Sequence, residues 1–154
     1  QRGYVHNAGF GHYLENYEPN ILGVLYDNAS MMWVLSKAYL ATNNKFYLTN
    51  AEWLATFLMK NMKSENGGFF DKTRNDEDIG LLGVQQKPLV ENSLAAIAFL
   101  NLYKITGNES YLHIVKEVLQ DFVLSYKKLG VHAAQYAIAV EGYLKLQQER
   151  TANQ

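Results

Sequence analysis

Two stretches of this chain match each other at a constant offset of 64 residues. Asn28 meets Asn92, Tyr39 meets Tyr103, Thr42 meets Thr106, Asn44 meets Asn108, Tyr47 meets Tyr111 and Leu48 meets Leu112. Asp27 meets Glu91, which preserves a carboxylate. Self-similarity at such a period marks stacked supersecondary units, none of which can bury its apolar face alone.

Each unit has the same texture. The first segments, NASMMWVLSKAYLAT and SLAAIAFLNLYKIT, are apolar nearly all round, as expected of helices covered on most sides. The segments that follow are amphipathic, with stripes at Tyr47, Ala51, Leu54 and Leu58 and at Tyr111, Val115, Val118 and Phe122. Asn108 is placed to cap the second of these, with Glu109 favourable in its first turn. Between the units, Asn66-Gly67-Gly68 is a tight-turn signal and the charged run after it reads as an exposed loop. HAAQYAIAVEGYLKLQQ follows Gly130 and opens a third copy, in which Tyr143-Leu144 answer Tyr39-Leu40.

The pattern predicts helices over 28–42, 45–62, 92–105, 109–126 and 132–147, with a frayed tail ERTANQ. The chain reads as a single partial domain over 1–154. It divides into an irregular segment 1–27 rich in glycine, asparagine and aromatics, a first repeat 28–91, a second 92–131, and the start of a third, 132–148. Alternation of an all-apolar and an amphipathic helix favours a closed ring over an open solenoid. The predicted class is all-α: helical hairpin repeats forming an arc, about half, of an α/α toroid. A ring of six such hairpins needs roughly 350 residues or more. The chain begins Gln1-Arg2-Gly3-Tyr4, without initiator methionine or signal sequence, and reads as a piece of a longer polypeptide.

Composition narrows the function. Fourteen basic residues against fifteen acidic ones give a net charge of −1, so nothing favours nucleic acid or an anionic membrane as partner. No apolar run reaches the length of a membrane span. The absence of cysteine removes disulfides, thiolate catalysis and cysteine-ligated metals, and fits a cytoplasmic location. The histidines, His6, His12, His113 and His132, lack the spacing of a metal site. No dinucleotide fingerprint, nucleophile elbow or phosphate-binding loop is present, so no cofactor is expected.

DNASMMWVLSKAYLATNNKFYL, GGFFD, KPLVENSLAAIAFLNLYKITGNESYL and AAQYAIAVEGYL resemble the C-terminal toroid of thioredoxin-domain-containing proteins. That toroid is related to six-hairpin glycosidases and N-acylglucosamine 2-epimerases. The resemblance covers most of residues 22–145. It departs from the family in lacking the thioredoxin-like half with its cysteine motif. It also has Pro88-Leu89-Val90-Glu91-Asn92 where the family often has Pro-Ser-Gly-Asn. The resemblance therefore implies a fold, with no redox activity attached.

In α/α toroids the N-terminal ends of the inner helices surround one end of a central funnel. Asp27-Asn28 and Glu91-Asn92 fall at such ends, and Asp27 with Glu91 could act on a sugar as general acid and base or nucleophile. Asn28, Asn92 and Lys87 are candidate substrate-binding polar groups, and Tyr26, Trp33, Phe69 and Phe70 candidate sugar-stacking rings. Each has a structural alternative. The structural reading ranks ahead for each: Asp27-Asn28 as helix caps, Glu91 as a poorer cap, Lys87 as a solvated charge or a partner of Glu91, Phe69 and Phe70 as plugs, and Trp33 as core.

Three functions are open to such a chain. It could be a non-catalytic scaffold, partnered by the remainder of its parent chain or by a second copy. It could be an arc of a carbohydrate-active enzyme, hydrolase or epimerase, with a carbohydrate ligand. A cyclase on terpenoids or peptides lacks its acidic or zinc motif. For an arc taken alone, the scaffold ranks ahead.

Overall fold

The computed structural model describes residues 4–5, 8–75 and 77–152; His6 and the side chain of His132 lie outside what it describes. Five helices carry the architecture: α1 (Leu25–Thr42), α2 (Lys45–Asn61), α3 (Leu89–Thr106), α4 (Glu109–Phe122) and α5 (Ala134–Ala152). α1 and α3 begin and end at positions 64 apart, so the sequence repeat is a structural repeat.

The turn between the helices of each hairpin shows why. Asn43 (φ 53°) and Gly107 (φ 70°) close α1 and α3 in the left-handed conformation, each donating its N–H to the Tyr39 or Tyr103 carbonyl at 2.7 Å. Asn tolerates that conformation because its short polar side chain bonds locally. The hydroxyls of Thr42 and Thr106 donate to the carbonyls of Ala38 and Leu102 and accept from the amides of Asn44 and Asn108. Asn44 and Asn108 then cap α2 and α4 by accepting from Phe46 and Ser110.

α1, α3 and α5 form an inner row, with α2 laid against α1 and α4 against α3. α3 is flanked on both sides, so Ala95, Ala96, Ala98, Phe99 and Leu102 are completely buried. Phe69, from the loop after α2, stacks on Phe99 with ring centres 5.7 Å apart, and Tyr111 of α4 meets Phe99 from the other hairpin partner at 5.8 Å. The two ends of the row stay open: Tyr26, Trp33, Val34 and Leu40 are exposed on α1, Ile138 and Leu144 on α5.

Several boundaries differ from the sequence-based expectation. α1 and α3 start three residues earlier than predicted, because Leu25 and Leu89 are buried first-turn residues after extended Val24 and Pro88. The segment predicted to be irregular holds two short antiparallel hairpins, β1 (Tyr4–Val5) with β2 (Gly9–Phe10) and β3 (Tyr13–Glu15) with β4 (Glu18–Asn20). α4 stops at Phe122 and hands over to a 3-10 stretch over Tyr126–Ala133, where Gly130 takes a non-helical conformation. The tail does not fray before Ala152: Arg150 donates to Glu109 Oε2 at 3.0 Å and to the Tyr103 hydroxyl at 3.2 Å, tying α5 to the α3–α4 turn. Among the described residues no helix is long and apolar enough to cross a membrane.

Candidate active site at the inner-helix rim

The starts of α1 and α3 are joined by one short piece of the return loop. At α3, the Asn92 side chain accepts from the Phe69 amide at 2.7 Å and donates to the carbonyls of Phe69 (2.9 Å) and Pro88 (2.8 Å). Two residues on, the Asp71 carbonyl accepts from Leu25 N–H at 2.8 Å, satisfying a first-turn donor of α1. Thr73 N–H donates to Gly23 at 2.9 Å, and Val24 pairs with Lys72. Residues 69–73 therefore run from one inner-helix start to the next, with Asp71 in the middle. Its carboxylate accepts from Gln86 N–H at 2.9 Å.

Asn28 repeats the role of Asn92 one hairpin earlier. It accepts from Phe10 N–H at 2.7 Å and donates to the Val24 carbonyl at 2.7 Å. Both asparagines are completely buried. Their amides are engaged with backbone groups of the neighbouring loop and of their own helix starts. The loop residue before each phenylalanine must be glycine: Gly9 has φ 85° and a Cβ there would sit 2.6 Å from Asn28 Oδ1, while Gly68 has φ 67° and a Cβ there would sit 2.8 Å from Asp121 Oδ2. The shared pattern is Asn-x-Gly-Phe, at 7–10 and 66–69. A search at an offset of 64 misses it, because the two loops differ in length and stand 59 apart.

Asp27 and Glu91 occupy the same place, the third residue of the first turn. Neither Asp27 nor Asn28 caps its helix: the capping residues are Val24 and Pro88, with no side-chain cap bond. The helix dipole nevertheless favours both carboxylates there. The two differ in company. Asp27, 12% exposed at its side chain, holds both oxygens 3.0 Å from His12 Nδ1. Glu91 is half-buried and has no ion pair or hydrogen bond among the described residues.

The other predicted residues scatter. Lys87 pairs with Asp121 at 2.7 Å and donates to the Gly67 carbonyl at 3.2 Å; it is a partner neither of Glu91 nor of solvent alone. Trp33 is not core: it is 38% exposed, with Lys37 Nζ 5.9 Å from its ring centre. Tyr26, also exposed, lies seven residues earlier and so on the same face of α1. Phe69 is the buried plug, while Phe70 stays half-buried with its N–H on the Met62 carbonyl. His113 is exposed beside Glu117. Among the described residues no three His, Cys, Asp or Glu side chains gather as a metal site would require.

Sequence reasoning missed His12 and Asp71. In the sequence His12 stands out only as a potential metal ligand, and its partner lies 15 residues away across a hairpin. Asp71 was visible as the last residue of GGFFD but carried no partner until the loop was placed.

No protein-family model matches the chain, and no curated protein matches its sequence. Solved structures do match. A family 76 glycoside hydrolase from a bovine Bacteroides thetaiotaomicron strain shares 25% identity at a TM-score of 0.64, over 78% of this chain and 26% of that one. A family 76 mannosidase from Bacteroides thetaiotaomicron shares 22% at 0.63, over 81% of this chain and 38% of that one. The cellobiose 2-epimerase of Spirochaeta thermophila shares 22% at 0.60, over 77% and 29%. The chain thus has the hairpin arrangement of an α/α toroid and spans well under half the length of the structures it resembles.

Proposed function

We propose that this chain supplies the rim of a carbohydrate-active α/α toroid, hydrolysing or epimerising a sugar. The observation that carries the reading is the equivalent placement of Asp27 and Glu91 at two inner-helix starts bridged by residues 69–73. Adjacent packed helices lie about 8–10 Å apart, a span over which two carboxylates can serve one sugar ring as acid and base. Tyr26, Trp33 and Phe70 supply rings for stacking on sugar faces. Asn28 and Asn92 hold the loops that shape the rim. The toroids of a mannosidase and a cellobiose epimerase support the substrate class, and the remaining wall of the funnel belongs to further hairpins or to a second copy. The motif resemblance supports a thioredoxin-fused parent.

In the intact protein, Asp27→Asn and Glu91→Gln should abolish turnover of a mannoside or of cellobiose while leaving Tm nearly unchanged. Lowered Tm with unchanged turnover would instead support the second reading, a non-catalytic scaffold. That reading is favoured by one observation: the polar groups nearest the rim, Asn28, Asn92 and Lys87, are already occupied by the protein itself.

A further inference from the structure

We propose that His12, held by Asp27, is the proton-transferring side chain of this rim, and that Asp27 is its positioning residue. The inference rests on the carbohydrate reading and changes which atom meets the substrate. Both Asp27 oxygens lie 3.0 Å from His12 Nδ1. A carboxylate there accepts a proton-bearing Nδ1, which leaves the lone pair on Nε2. Asp27 is 12% exposed and His12 56%, so the carboxylate is withdrawn and the imidazole presented. Nε2 has no partner among the described residues.

The pair is more than a strap for its loop. In the second repeat Asn92 and the backbone bonds of Phe70, Asp71 and Thr73 hold the loop. Asp71, two residues after Phe69, stands where His12 stands after Phe10, and Glu91, at the helix offset of 64, stands where Asp27 stands. Two acids make no ion pair, yet that loop is held. The first repeat has the same latch in Asn28 and backbone bonds of its own at the His12 N–H, so retention of the loop does not call for the His12 side chain. The backbone fixes the ring's origin: His12 N–H donates to the carbonyls of Asn20 and Ile21 at 3.0 and 3.1 Å.

The step is simple in its balance. Nε2 takes a proton from a water as that water's oxygen bonds to the anomeric carbon. The glycosidic C–O bond breaks with its electron pair going to the departing oxygen, which takes the proton of the Glu91 carboxyl, and the proton on Nε2 then returns to Glu91 through solvent. Asp27 stays ionised throughout and steadies the imidazolium. Glu91 serves as the second proton-handling group.

The test uses the intact protein labelled with nitrogen-15, at about pH 8 where an ordinary imidazole is neutral, with p-nitrophenyl mannoside and cellobiose as substrates. Nitrogen–proton correlation spectra should show His12 in the Nδ1–H form, and Asp27→Asn should erase that preference and lower kcat more than it changes KM. His12→Gln should lower kcat at least about 100-fold without lowering Tm. An Nε2–H form, or full kcat in His12→Gln, overturns the proposal while leaving the carbohydrate reading standing. A Tm loss with unchanged kcat makes the pair a strap. An unaltered protein that turns over neither sugar overturns the carbohydrate reading and this proposal with it.

Discussion

Asn28 and Asn92 make the same bond 64 residues apart: each side-chain oxygen accepts at 2.7 Å from the amide of a phenylalanine, Phe10 or Phe69, in the loop before its helix. Asn92 makes two further bonds to carbonyls, Asn28 one. At about 1 kcal/mol per bond, plus the penalty of a buried amide left unpaired, Asn92→Ala should cost about 3–4 kcal/mol and Asn28→Ala about 2. Urea unfolding of both variants measures this, and a reversed order would contradict the latch.

The glycines of the latch should be irreplaceable for different reasons than other left-handed glycines. Gly9→Ala and Gly68→Ala meet the asparagine or aspartate oxygens as well as a disfavoured backbone, and should lose about 2–4 kcal/mol. Gly107 has φ 70° but nothing within 4 Å of a Cβ, so Gly107→Ala should cost only about 1 kcal/mol. Equal losses at the three sites in thermal unfolding would refute the close approach.

Alkaline pH should loosen the end of the row. Burial, then the neighbouring Tyr126, pushes the Tyr136 hydroxyl above the usual tyrosine range, and burial first of all does the same to Tyr111. A raised folded pKa means that the unfolded chain ionises first. The stability is fully present below about pH 10 and is lost as pH climbs through the folded values. Tyr136 also donates to the Leu119 carbonyl at 2.7 Å, near the C-terminal end of α4. Tyr136→Phe should cost about 1 kcal/mol at neutral pH and flatten the alkaline decline; an unchanged slope above pH 10 would remove Tyr136 as its source.

The open ends of the inner row should associate. A cavity of about 820 Å³ on α5, lined in part by Val123, Tyr126, Val140 and Leu144, and the exposed Val34 and Leu40 of α1 are uncovered apolar surface. Burying such surface yields about 25 cal/mol per Å². The chain should sediment as dimers or larger species at high concentration, and Leu144→Glu or Val34→Glu should shift it to monomer at unchanged Tm. A monodisperse monomer that binds no hydrophobic dye would contradict the expectation.

The helices, their order and the Thr-x-Asn turns were legible because they are decided within about four residues of chain. Asn44 and Asn108 cap the next helix by a bond to the residue two places on, and the stripe of Tyr111, Val115, Val118 and Phe122 is buried as its spacing requires. The starts of α1 and α3 were misplaced by one turn because no capping side chain marks them.

By itself, then, the sequence determined a repeated helical hairpin and put two carboxylates at matching positions of it, since periodicity and capping are local. Only the tertiary structure decided what those positions can do. His12 reaches Asp27, Lys87 reaches Asp121, and Asn92 takes a loop 23 residues upstream, across separations at which sequence spacing carries no distance. A polar side chain near a helix start is a cap, a latch or a reactive group according to the partner that loop closure brings to it. That partner is settled when the apolar helices pack and the loops between them must satisfy their buried amides.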